Sequence, residues 1–67
     1  MNAKEADQLK PGDKVVAFNG PYTQRATVVS VRKDYRNIRW IKYTWVNPKG
    51  KKMDYEKRHM SVFLAPV

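Results

Sequence analysis

Positively charged side chains are interleaved with aromatic rings in the middle of the chain, in the segment RNIRWIKYTWVNPKGKK. Between residues 25 and 58, eleven Lys and Arg accompany three acids, so this stretch carries the whole net charge of +8. Lys and Arg bind phosphate groups, and planar rings stack on exposed bases. The pattern therefore predicts a polyanionic partner, with nucleic acid the foremost candidate.

The side chains expected to contact phosphates lie on predicted strands or in the turns between them. They are Arg32, Lys33, Arg36, Arg39, Lys42, Lys49, Lys51 and Lys52. Tyr35, Tyr43 and Trp45 are the rings from which one or two exposed stacking partners are expected, with Tyr43 and Trp45 the preferred pair. The sequence shows no recognition helix that would enter a major groove, so we expect DNA or RNA binding with little sequence specificity.

The same surface is compatible with two other interpretations. Lysines on sheet edges are common as solvated groups that prevent aggregation. Alternatively, the chain is a protein-interaction module that acts as a regulator or subunit of a larger acidic machine such as a polymerase. Phosphate binding would weaken steeply with salt, whereas a specific protein interface would survive moderate salt.

Catalytic and metal-binding patterns are lacking in the sequence. The chain has no cysteine and a single histidine, His59, so neither a thiolate site nor a protein zinc site is expected. Asp54 and Glu56 are interpreted as partners of neighbouring lysines, because no nucleophile and base are suitably spaced. We expect no enzyme activity, no metal and no cofactor.

Length and composition indicate one small folded domain. Sixty-seven residues suffice for a single core, and apolar residues make up 42% of the chain. The N-terminal segment MNAKEADQLKPGDKV has no apolar run typical of a signal peptide, and no run is long enough to span a membrane. A soluble intracellular protein, cytoplasmic and without a membrane partner, is expected.

Turn residues divide the chain into five short β-branched or aromatic runs. The predicted strands cover residues 14–18, 25–33, 38–46, 51–55 and 62–65, with Pro66 ending the last one. Asn47, Pro48 and Gly50 fit positions i, i+1 and i+3 of a type I turn, and residues 56–60 suit one short helical or 3₁₀ turn. Residues 1–8 are expected to be a polar tail or one helical turn, and residues 9–67 a single all-β domain.

Five antiparallel strands with a short turn before the last one describe a small barrel that resembles the SH3-like barrels of Tudor and KOW type. The resemblance rests on LKPGDKV at residues 9–15 and ATVVSV at residues 26–31. The KOW pattern has glycine where this chain has Arg25 and Ala26, so the resemblance does not imply a KOW-type function. In Tudor-like barrels, aromatic rings form cages for methylated Lys or Arg. The residues here that correspond to such a cage are Phe18, Tyr22, Tyr43 and Trp45.

The apolar residues of the third strand change phase partway along it. Ile38 and Trp40 share one parity, whereas Ile41, Tyr43 and Trp45 share the other. A β-bulge or a sharp bend near Trp40 and Ile41 would reconcile the two parities. Because Trp40 and Trp45 differ in parity, we expect them on different faces, with Trp40 in the core and Trp45 toward the surface.

Overall fold

The computed structural model describes residues 1–65, which form one antiparallel sheet and a short N-terminal helix. The elements are α1 Ala3–Asp7, β1 Lys14–Asn19, β2 Tyr22–Lys33, β3 Arg39–Val46, β4 Lys52–Arg58 and β5 Val62–Leu64. A 3₁₀ turn at His59–Ser61 leads from β4 into β5. The predicted all-β class with five antiparallel strands is confirmed. The predicted end of the last strand at Pro66 lies outside the described residues.

The strands follow one another as a meander before the last one returns to the first. Their order is β4-β3-β2-β1-β5, and every pairing is antiparallel. Within residues 1–65, β4 and β5 are the two edges and do not pair, so the sheet is not closed into the predicted barrel. Both β2 and β4 are longer than predicted, because β2 begins at Tyr22 and β4 continues to Arg58.

The core lies on one side of this sheet, and alternate residues of the strands supply it. The buried apolar side chains are Ala6, Val15, Ala17, Ala26, Val28, Ile41, Tyr43 and Val62. Tyr43 and Ile41 are the largest of those that are completely buried. Because successive strand residues point to opposite faces, the intervening residues form a second, solvent-facing surface.

A β-bulge lies in β2, at Val29. The pairing of Val28 with Tyr43 is followed directly by that of Ser30 with Lys42, so Val29 has no partner on β3. Beyond this point the inward positions of β2 shift by one residue. The prediction of a bulge in the third strand is therefore wrong, and β3 keeps a regular alternation throughout.

The two tryptophans consequently lie on the opposite faces from those predicted. Trp45 shares its parity with the buried Ile41 and Tyr43 and packs against the core. Trp40 has the other parity and lies on the solvent-facing side, where it is half-buried. Ile38 misled the prediction because it precedes β3 and takes no part in the alternation of that strand.

The helix α1, near the N-terminus, packs against the sheet. Asn2 and Glu5 form a capping box, in which each side chain accepts a hydrogen bond from the other's backbone N–H. Ala6 is completely buried, and the carboxylate of Asp7 accepts two hydrogen bonds from Arg39 on β3, at 2.8 and 3.0 Å. No helix of the described residues is long and apolar enough to cross a membrane.

The hairpin between β3 and β4 has the predicted turn. The N–H of Gly50 donates to the carbonyl of Asn47 at 2.9 Å, which is the i to i+3 bond of a β-turn. Oδ1 of Asn47 also accepts from the backbone N–H groups of Lys49 and Lys51, each at 2.9 Å. The side chain of Asn47 thus fixes the whole connection.

We predict that Tyr43→Ala unfolds much of the protein population at room temperature. Its ring is completely buried, and truncation of a large core side chain costs about 3–5 kcal/mol. A domain of this size has a free energy of unfolding of only roughly 3–10 kcal/mol. Tyr35→Ala is the matched control, because the Tyr35 side chain is 92% exposed. Urea unfolding followed by circular dichroism measures both, and equal midpoints would contradict the core assignment.

Candidate nucleic-acid interface

The side chains that point away from the core form a broad, predominantly basic surface, here called the outer face. Its cations are Lys14, Arg25, Arg32, Lys42, Lys52 and Arg58, and its acids are Asp54 and Glu56. The strand alternation places them together, because each belongs to the outward set of its strand. Cations from β1, β2, β3 and β4 therefore share one side of the sheet.

Trp40 lies between two arginines in a row across three strands. It pairs with Arg58 on β4 and with Arg32 on β2. The guanidinium carbon of Arg32 lies 5.3 Å from the centre of the indole ring, within the range of a cation–π interaction. Arg32 also donates to both carboxylate oxygens of Glu56, from Nε at 3.1 Å and from Nη2 at 2.8 Å. The hydrogen bond from Arg32 lowers the pKa of Glu56.

Asp34, at the end of β2, fixes the other edge of the indole. Its Oδ2 accepts a hydrogen bond from Nε1 of Trp40 at 2.9 Å. Its Oδ1 accepts from the backbone N–H groups of Arg36 and Ile38, at 2.8 and 3.0 Å. These bonds, that from Trp40 above all, lower the pKa of Asp34 to about 2. One carboxylate thus holds both the β2–β3 turn and the ring on the outer face.

Most cations of the outer face have no acidic partner among the described residues. Only Arg32 of this set forms an ion pair there. Lys14 donates to the hydroxyl of Thr27 at 2.7 Å, while Asp54 accepts from the hydroxyl of Thr44 at 2.8 Å. A hollow of about 350 Å³ lies between the outward side chains of β1 and β2. It is lined by Lys14, Val15, Arg25, Ala26, Thr27 and Ala65.

Only some of the predicted phosphate contacts lie on this surface. Arg32, Lys42 and Lys52 are on the outer face. Lys33 and Arg36 lie at the β2–β3 turn, at one end of the sheet, whereas Lys49 and Lys51 belong to the β3–β4 hairpin at the other end. The structure therefore brings the central predicted cations together and distributes the rest to the two ends.

Three of the predicted contacts have a different environment from the one expected. Tyr43 is completely buried, and its hydroxyl donates to Oε1 of Gln24 at 3.2 Å, so its ring is not accessible to a base. Arg39 points to the core side of the sheet and is bonded to Asp7. Trp45 packs against the core from the same side. The predicted change of phase in β3, which the structure does not have, accounts for all three differences.

Three cations and the tryptophan of the outer face were not among the predicted contacts. They are Lys14, Arg25, Trp40 and Arg58. Arg58 has the parity of Lys52, and a longer fourth strand would have revealed it. Lys14 and Arg25 flank buried residues of β1 and β2, so the period of two would have placed them outward.

No group of three His, Asp or Glu side chains that could hold a metal ion occurs among residues 1–65. Nδ1 of His59 accepts a hydrogen bond from the backbone N–H of Arg39 at 3.2 Å and so joins the 3₁₀ turn to β3.

Comparisons with protein-family models, with curated proteins and with solved structures found no match to this chain. Its function must therefore be inferred from its own contacts, burial and charge.

We predict that Asp34 gives the protein a stability that acid removes. Since its pKa is lower in the folded state than the ordinary 3.8, its contribution is complete above about pH 4 and is lost as the pH falls through about 2. Asp34→Asn removes this part of the pH dependence. Asn replaces one of the two acceptor oxygens by an N–H₂ group, so either Trp40 or the backbone N–H groups of the turn lose their acceptor.

Thermal unfolding between pH 2 and 7 measures this effect, and tryptophan fluorescence reports the change around Trp40. Asp54→Asn is the matched control, because its carboxylate accepts only from the Thr44 hydroxyl among the hydrogen bonds described. An Asp34→Asn variant with the same acid profile as the native protein would show that this carboxylate does not hold the turn.

Proposed function

We propose that the protein binds nucleic acid through the outer face. The observation that carries the proposal is the row of Arg58, Trp40 and Arg32, in which an arginine is held over an indole. Nε and Nη2 of Arg32 donate to Glu56, whereas Nη1 of Arg32 has no partner among the described hydrogen bonds. With its side chain 57% exposed, Arg32 is oriented in advance to donate to a phosphate oxygen.

The charge of the surface supports a polyanionic ligand. Arg58 in this row, Lys42 next to it on β3 and Lys52 farther along the outer face form no ion pairs with described residues. Crowded like charges oppose folding through mutual repulsion, and counter-charge from a ligand relieves that cost. The hollow between Lys14 and Arg25 adds a concave place for a backbone phosphate on the same face.

The expected mode of binding is phosphate contact with little sequence discrimination. Among the described residues the helical segments are the five-residue α1 and a single 3₁₀ turn. Neither is long enough to present a series of side chains along a major groove. Affinity on such a surface comes from counterion release, and rings contribute by stacking on bases.

We also propose that the chain is related to the SH3-like barrels. The features that support this relationship are the four-strand meander, the 3₁₀ turn before the last strand and the return of β5 to β1. The relationship concerns the fold, and the proposed nucleic-acid binding does not depend on it.

A second candidate function is the docking of a protein partner, and one observation favours it. Phe18 and Phe63 form an edge-to-face pair with ring centres 5.1 Å apart, although each ring residue remains about 45% exposed. Exposed aromatic rings that lie together on one face are typical of protein interfaces.

We predict that affinity for nucleic acid falls linearly with salt on logarithmic axes. The slope should be about −0.7 to −0.9 for each phosphate neutralised. The double variant Lys42→Glu/Arg58→Glu should abolish binding at moderate salt, because both side chains flank the Arg32–Trp40 pair. Lys4→Glu/Lys10→Glu is the matched control, with the same change in net charge at exposed residues that lie outside the strands.

Fluorescence anisotropy with labelled single-stranded and duplex oligonucleotides measures these affinities. The control variant should retain most of the affinity, since it changes only the overall field. Equal losses in both variants would mean that net charge alone, rather than the outer face, attracts the ligand. Absence of binding at low salt would reject the proposal. Capture of an acidic protein that resists salt and requires Phe18 and Phe63 would favour the second candidate.

A further inference from the structure

A cleft of about 280 Å³ opens at the end of the sheet where the β3–β4 hairpin lies, on the core side and thus separate from the outer face. It is lined by Tyr22, Thr23, Gln24, Trp45, Pro48 and Tyr55. These residues come from the start of β2, the end of β3, the hairpin and β4. Trp45, which lies on the core side and not on the outer face, therefore belongs to a separate candidate site.

Three aromatic residues form the walls, and two of them are held firmly. Trp45 packs against the core. The ring of Tyr55 lies 6.0 Å from that of Tyr43, and its hydroxyl donates to the sulfur of Met53 at 3.6 Å. Tyr22 is 73% exposed and so is free to close on a ligand. Planar rings around a narrow space favour a planar guest.

Gln24 supplies a polar group to this aromatic space. It is only 3% exposed, and its Oε1 accepts from the hydroxyl of Tyr43. Its amide N–H₂ has no acceptor among the described hydrogen bonds. Gln24 also lines the cleft, so its amide lies beside the space that a ligand would occupy. A guest with hydrogen-bonding groups on a planar edge would satisfy it.

The charges around the cleft select the chemical class of that guest. None of the lining residues is charged, and the neighbouring hairpin carries Lys49 and Lys51. A methylated lysine or arginine would meet like charge and no carboxylate. The corresponding aromatic cage is also not assembled, because Phe18 lies on the outer face beside Phe63 and Tyr43 is buried. An uncharged ring attached to an anionic backbone fits both the cleft and its rim.

We infer that the cleft holds an unpaired base of a single-stranded nucleic acid. The inference rests on the proposed function and makes it more specific, because it requires single strands to be preferred over duplexes. Val46 and Lys52 are the last pair of β3 and β4 before the hairpin, and both are outward positions. The outer face therefore extends to the hairpin. A nucleic-acid strand can contact this face through its phosphates and place one base past the hairpin, between Tyr22 and Trp45.

The test compares the affinities of three ligands for the native protein and two variants. The ligands are a short oligothymidine, an abasic strand of the same length and charge, and a blunt duplex of that length. Tyr22→Ala should weaken binding of oligothymidine roughly 5- to 150-fold, as expected when one stacking partner is lost, and should leave the abasic strand and the duplex unchanged. Met60→Ala changes an exposed side chain in the 3₁₀ turn that follows β4, at the opposite end of the sheet, and should leave the preference for oligothymidine intact.

Nuclear magnetic resonance locates the base independently of affinity. Addition of oligothymidine should shift the side-chain N–H₂ signals of Gln24 and the indole N–H of Trp45, and the abasic strand should not. Equal affinities of the native protein for oligothymidine, abasic strand and duplex would overturn this inference while the proposed function stands. Absence of binding to all three would overturn both. Shifts of the Gln24 signals caused by a trimethyllysine peptide instead of a base would assign the cleft to a different ligand.

Discussion

One extra residue in β2 determines which side chains the two faces of this sheet receive. Before Val29 the inward residues are Gln24, Ala26 and Val28. If that alternation continued, Ser30 and Arg32 would point into the core. The bulge reverses the parity, so Val31 packs against the core and Arg32 emerges over Trp40. The contact of Val31 with the core and the position of Arg32 beside Trp40 both follow from this local irregularity.

Turns and ion pairs then hold the two faces in fixed relation. The carboxylate of Asp34 bonds to backbone groups of the β2–β3 turn and to the indole of Trp40, so the turn and the ring on the outer face move as a unit. On the core side, Arg39 binds Asp7 and attaches α1 to β3. Neighbouring residues of one strand thus bind in opposite directions, Arg39 toward the helix and Trp40 toward the turn.

The strands were predictable because their limits are encoded locally, by β-branched runs and by turn residues such as Asn47 and Gly50. The position of the bulge was not, because β2 has valines of both parities and its apolar pattern fits either phase. The Arg39–Asp7 pair joins residues 32 positions apart, and nothing in the local sequence indicates it. Arg32, Lys42 and Lys52 were correctly expected at the surface. Their position on the same face as Arg58 could not be predicted without the register of β4, because the last residues of that strand, Glu56 to Arg58, are all charged and show no apolar alternation.

The strand β4 is an open edge of the sheet, and its sequence bears on how copies of the chain meet. Two such edges could pair antiparallel along their full length with Tyr55 at the centre of symmetry. That register would set Lys52 against Arg58 and Asp54 against Glu56, so each of these outward pairs would bring like charges together. The order of charges along KMDYEKR therefore opposes growth of the sheet from one molecule to the next at this edge. The same four charged residues thus act as a barrier to polymerisation as well as forming part of the outer face.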